Sequence, residues 1–117
     1  MILLGSNDYL HQEPREDTFK NLRSIITRIQ GEGAVVIVLG ARGGILSDTF
    51  AKDFAVLARE TGSVFVPGVL DDIFGNTKLM SDEVHPNDEG YLKMTDKIAP
   101  VFEGIVLSAP QEASHAE

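Results

Sequence analysis

Apolar residues fall in two rhythms along the chain, and the alternation between them predicts the elements. Ile2 to Leu4 is a short apolar run closed by Gly5 and reads as a buried strand. Residues 6–13 are polar and read as a loop. Pro14 suits the first turn of a helix. Phe19, Leu22, Ile25, Ile26 and Ile29 then recur at helical spacing until Gly31 and Gly33 stop the pattern. Ala34 to Leu39 is a continuous apolar, largely β-branched run, the pattern of a strand covered on both faces. The loop GARGG follows. Ser47 is a candidate cap for a second helix, with Phe50, Phe54, Leu57 and Ala58 on its buried face and Gly62 at its end. Ser63 to Val66 is a further apolar strand, closed by Pro67-Gly68. Residues 69–80 admit a short helix and a turn. Asn87 reads as an N-cap, with Asp88 and Glu89 in the first turn, where they suit the helix dipole. Tyr91, Met94, Ile98, Val101, Phe102 and Ile105 give that last helix an apolar face. Pro100 is expected to kink or divide it, because it removes an internal hydrogen bond. Residues 109–117, APQEASHAE, read as a disordered tail.

The predicted order is β-α-β-α-β-α, which implies an α/β fold with a parallel sheet and helices packed against it. No internal repeat is visible. In such sheets the working loops lie beyond the carboxyl ends of the strands. Here those loops are GSNDYL, GARGG and PGVLDD, and the DEVH stretch precedes the last helix.

Composition narrows the functions. The 117 residues are enough for one domain, and 43% of them are hydrophobic, enough for a core. The formal net charge of −8 disfavours a phosphate backbone or an anionic membrane surface as partner, so no nucleic acid is expected. The chain contains no cysteine, hence neither a disulfide framework nor a thiolate nucleophile. Its longest apolar run, AVVIVLGA, is far too short for a membrane span. The opening MILLGSND lacks the basic segment of a signal peptide. None of this fixes the compartment.

The chemistry-bearing stretch is SDEVHPNDEGY, residues 81–91. A histidine side chain takes and returns a proton near neutral pH. A carboxylate three residues earlier can fix its tautomer and stabilise the imidazolium. Asp82 and His85 form such a pair, although for a D-x-x-H pair by itself the favoured reading is one that merely shapes a loop before a helix. Zinc would need three or four ordered ligands, and the remaining histidines are His11 and His115, the latter in the tail. At the end of the first strand, Gly5-Ser6-Asn7-Asp8 offers an asparagine amide that can stabilise a developing oxyanion. The same residues also suit a plain Asn-Asp turn. GARGG lacks the spacing of a phosphate-binding loop and reads as a plain loop near substrate.

Taken together, LLGSND after one strand, two further strand–helix steps and then SDEVHPNDEGY before a last helix resemble the SGNH hydrolases, the GDSL-type esterases and lipases. The resemblance runs from Leu3 to about Phe102 and lies nearest the acyl-CoA thioesterase, lysophospholipase and arylesterase branch. It implies a flavodoxin-like three-layer α/β/α fold over residues 1–108, here missing the first strands. It also implies hydrolysis of small acyl esters or thioesters without metal or organic cofactor. By the same resemblance Asp82 and His85 match the acid and base, and Asn7 the oxyanion donor. Gly5, Ser6 and Asp8 match the supporting loop, with Ser6 where glycine is usual.

The family nucleophile sits in a Gly-Asp-Ser block ahead of G-x-N-D, and no Gly-Asp-Ser occurs in the 117 residues. Gly44-Ile45-Leu46-Ser47-Asp48 is out of order, and Ser6 falls in the wrong block. The expectation is therefore part of a serine esterase, inactive alone, with its first strand exposed as an open edge. That edge would be covered by self-association or by an amino-terminal segment, and a leader, if any, would lie in that segment. The competing readings are a non-catalytic binding or assembly module on the same scaffold, and a hydrolase that uses Ser6 or a second subunit.

Overall fold

A computed structural model of the chain describes residues 1–44 and 47–110. Six elements follow in order: α1 (Ser6–Leu10), α2 (Arg15–Gly31), β1 (Ile37–Leu39), α3 (Ala51–Thr61), β2 (Val64–Val66) and α4 (Asp88–Ser108). β1 and β2 pair in parallel, with Ile37 opposite Val64, Val38 opposite Phe65 and Leu39 opposite Val66. Ile2 lies on the other side of β1 as a parallel bridge to Val38. Its N–H donates to Ile37 O and its carbonyl accepts from Leu39 N–H, both at 2.9 Å.

The strand period of two sorts β1 into two cores. Val36 and Val38 face one way, with Ile2, Leu22 and Ile26 of α2, and Phe50, Phe54 and Leu57 at and within α3. Ile37 and Leu39 face the other way, with Val66, Val69, Ile73, Leu79 and Met94 of α4. Ile98, Val101 and Ile105 extend that second contact along α4. The sheet is thus sandwiched between α2 and α3 on one face and α4 on the other, the expected α/β/α layering. The first core is built on aromatic edges: the Phe19 ring meets those of Phe50 and Phe54 edge-on at 5.2 and 5.1 Å.

Several boundaries differ from those read in the sequence. The stretch 6–13 is not all loop, because Gly5, at φ 123°, turns the chain directly into α1. Only Ile2 of the first apolar run pairs with the sheet, while Leu3 and Leu4 are exposed. The second strand is Ile37–Leu39 rather than the whole of 34–39, since Val35 is exposed and has no strand beside it. Ser47 does not cap α3. Asp48 Oδ1 instead accepts from Phe50 N–H and Gly43 N–H, and the helix starts at Ala51. Residues 69–80 hold a series of turns and no helix. Pro100 leaves α4 undivided; it lies on the exposed side, where water can replace the lost hydrogen bond. On α2, Leu22 and Ile26 are buried, whereas Ile25 and Ile29 are exposed. Tyr91 and Phe102 of α4 are likewise exposed. Of the predicted tail, residues 111–117 lie outside the described residues.

Phe54, 1% exposed, sits at the centre of the first core. Phe54→Ala is expected to cost about 3–5 kcal/mol of stability. A urea melt checks this, and a midpoint that does not move would place Phe54 outside the cooperative core.

Candidate active site

The Asp82–His85 stretch is a closed loop with its ends tied. Met80 and Pro86 bridge in antiparallel fashion across it. Ser81 N–H donates to the His85 carbonyl at 2.8 Å, and Ser81 Oγ donates to the same carbonyl at 3.2 Å. Inside the loop, Asp82 Oδ1 accepts from Val84 N–H at 2.8 Å and from His85 N–H at 2.7 Å. The same carboxylate meets His85 Nδ1, at 2.8 Å to Oδ2 and 3.0 Å to Oδ1. Asp82 therefore shapes the loop and orients the ring at once. With Nδ1 facing Asp82, Nε2 is the ring nitrogen that has no hydrogen-bond partner among the described residues.

These donors also set the charge of Asp82. The Val84 N–H, then the His85 ring, then the His85 N–H hold its carboxyl below the ordinary 3.8. The pair is exposed, with His85 at 65% and Asp82 at 55% of their side-chain surface in solvent, so it contributes little to global stability.

The motif that follows fixes this loop to α4. Asn87 Oδ1 accepts from Gly90 N–H at 3.0 Å as the N-cap of α4. Its Nδ2 donates to Lys78 O at 2.8 Å, and its backbone N–H donates to Leu79 O at 2.9 Å. Gly90 lies so close to the Leu79 carbonyl and the Pro86 ring that a β-carbon there would overlap both. The glycine in HPNDEGY is thus required by close approach rather than by an unusual backbone angle.

Gly5-Ser6-Asn7-Asp8 and His85 line one cavity. This cavity, of about 500 Å³, is lined by Gly5, Ser6, Asn7 and Asp8 and by Val84, His85 and Pro86. Leu3, Leu70, Phe74 and Met94 add apolar surface. The structure therefore brings Asn7 and His85 to one space although they are 78 residues apart in sequence. Asn7 is exposed, and its side-chain amide has no hydrogen-bond partner among the described residues. Among the described residues no cluster of three or more histidine, cysteine or carboxylate side chains has the geometry to hold a metal ion.

Sequence reasoning missed two contributors. Arg42, in the loop read as plain, lines the cavity; its Nε donates to Gly44 O at 2.9 Å and its guanidinium stands 5.1 Å from the Phe74 ring centroid. Ser81, which ties the loop shut, gave no signal beyond its place next to Asp82.

The sequence model of a family described as GDSL-like lipase/acylhydrolase matches residues 1–93. Among solved structures, that of TesA superposes with a TM-score of 0.78 at 24% identity, covering 87% of this chain and 60% of TesA. The psychrotrophic esterase EstA from Pseudoalteromonas sp., in a structure inhibited by monoethylphosphonate, gives 0.71 at 22% identity, covering 90% of this chain and 61% of EstA. AlinE4, described as an SGNH-hydrolase family esterase, gives 0.58 at 22% identity, covering 92% and 58%. At these identities the likeness is one of fold. The chain spans about three fifths of the length of these structures. No curated protein matches it.

Two outcomes are expected. Gly90→Ala should destabilise the chain by about 1–3 kcal/mol, as overpacking against backbone does, read as a lowered thermal midpoint. An unchanged midpoint would mean that the Leu79 turn yields freely. For Asp82, a carboxyl depressed in the folded state contributes its stability above the unfolded value and loses it as pH falls through the folded one. The loop should therefore stay intact down to the ordinary carboxyl value of 3.8 and loosen only below it. The carboxyl ¹³C shift of Asp82 checks this: a midpoint above 3.8 would contradict the hydrogen-bonded geometry.

Proposed function

Because the chain belongs to the GDSL-like lipase/acylhydrolase family, we propose that it carries the acid, the base and one oxyanion donor of a serine hydrolase acting on small acyl esters or thioesters. In this reading the nucleophilic serine lies outside these 117 residues. The serine hydroxyl attacks the carbonyl carbon as His85 Nε2 takes its proton. The tetrahedral oxyanion accepts a hydrogen bond from the Asn7 side-chain amide. The intermediate collapses, the C–O or C–S bond breaks, and His85 returns the proton to the leaving alkoxide or thiolate. Water then attacks the acyl carbon as His85 takes its proton. The second intermediate collapses, the bond from the acyl carbon to the serine oxygen breaks, and His85 returns the proton to that oxygen, freeing the acid and the serine. Asp82 holds the ring at Nδ1 and stays ionised throughout.

One observation carries the reading: His85, held at Nδ1 by Asp82, and the Gly5–Asp8 turn open onto a single cavity. Two further points support a nucleophile supplied from elsewhere. Ile2 is paired to β1 on one side and, among the described residues, has no strand on the other. About two fifths of each of the TesA and EstA structures has no counterpart in this chain. The absence of Gly-Asp-Ser favours one competing reading, a non-catalytic binding or assembly module on the same scaffold.

The test is hydrolysis of p-nitrophenyl butyrate. The 117-residue chain alone should show no turnover above buffer. Supplied with a strand-and-helix segment bearing Gly-Asp-Ser, it should turn over, and His85→Ala should then lower kcat by about 10³-fold or more. Turnover that survives His85→Ala would remove His85 as the base. A chain that binds a partner tightly yet is never rescued by such segments would instead be a module.

A further inference from the structure

α1 has little of its own to hold it in place. It is five residues long, too short to be stable in isolation. None of its residues is buried, and no side chain caps its amino end. Asn7, in its first turn, nevertheless faces the cavity. Among the described residues, two side chains of α1 reach outward to fix it. The Tyr9 ring meets Phe50 edge-on at 5.7 Å, toward the carboxyl end. At the amino end, directly before Asn7, Ser6 Oγ donates to the Arg42 carbonyl at 2.9 Å, across 36 residues.

Arg42 is a firm post for that bond. Besides the contacts with Gly44 and Phe74, its guanidinium stands 3.5 Å from Asp71. The turn that carries Asp71 is held in turn by Lys97 of α4, whose Nζ donates to Gly68 O at 3.0 Å and to Asp71 O. The loops after Ile2, β1 and β2 are thereby joined to one another and to α4, and Ser6 is the link to Asn7. Glycine or alanine at position 6 would lack this bond, whereas threonine keeps the hydroxyl.

We propose that Ser6 is a positioning residue for Asn7: its hydroxyl, spent as a donor to the Arg42 carbonyl, fixes the first turn of α1 and is not a nucleophile. The functional half of this inference rests on the reading of Asn7 as oxyanion donor given above; the structural half stands without it.

Amide hydrogen exchange on the full 117-residue chain tests the structural half. In Ser6→Ala, the amides of Tyr9 in α1 and of His11 just after it, bonded to the Gly5 and Asn7 carbonyls, should exchange about fivefold faster, the factor that one ordinary hydrogen bond gives. Ser6→Thr should restore them, and the Gly90 amide at the α4 cap should not change in either variant. Equal exchange in the wild type and Ser6→Ala, or no rescue by threonine, would overturn the proposal. So would a covalent adduct at Ser6 after treatment with a fluorophosphonate. With the Gly-Asp-Ser segment supplied, Ser6→Ala should lower kcat at unchanged KM, and threonine should restore it. Loss of kcat in Asn7→Ala with kcat intact in Ser6→Ala would overturn the positioning role. An intact kcat in Asn7→Ala would instead remove the oxyanion reading, and the functional half with it, while the exchange result would still judge the structural half.

Discussion

A single carboxylate organises the candidate site. Asp82 takes the N–H groups of Val84 and His85 and the His85 ring nitrogen within four residues of chain. The two backbone bonds set the course of the loop, and the ring bond sets the direction of the imidazole. The same donors keep the carboxyl ionised at any pH where a histidine would act as base. Such a loop at the surface would wander if its ends were free. They are not: Ser81 closes it on the His85 carbonyl, and Asn87 binds the Lys78 and Leu79 turn while capping α4. The ring is thus held from a 21-residue helix rather than from a flexible connection.

The Gly5–Asp8 part of the cavity depends on the sheet. Alternation along β1 commits Val38 to the α2–α3 side and Leu39 to the α4 side, so a slip of one residue would send each side chain into the wrong core. That register delivers the loops after Ile2, β1 and β2 to one end of the sheet, as expected for ligand-binding loops of open α/β sheets. Arg42 and Lys97 then join those loops by hydrogen bonds and charge.

The parallel strand–helix succession and the core were legible in the sequence because they follow from periodicity, whereas the three-layer order was implied by the family resemblance. Leu22, Ile26, Phe54, Leu57 and Met94 are buried as their spacing required. The Asn87 cap was legible because an N-cap asparagine ahead of acidic residues is a local signal. What escaped was set by contacts distant in sequence. α1 was hidden because its stability comes from Phe50 and Arg42 rather than from its own residues. The late start of α3 follows from Asp48 reaching both Gly43 and Phe50, which a choice of capping residue by proximity alone mistook for Ser47. Arg42 looked like part of a plain loop because its partners, Asp71 and Phe74, lie about thirty residues on. The pairing of Asp82 with His85 was visible as spacing, and its meeting with Asn7 required the fold.

If His85 is a base whose nucleophile is encoded outside these 117 residues, the DNA upstream of the Met1 codon is the first thing to sequence. An open frame encoding an apolar strand that ends in Gly-Asp-Ser, joined to this chain or placed beside it as a separate gene, is expected. A frame closed by stop codons, with no such segment nearby, would rule that pairing out.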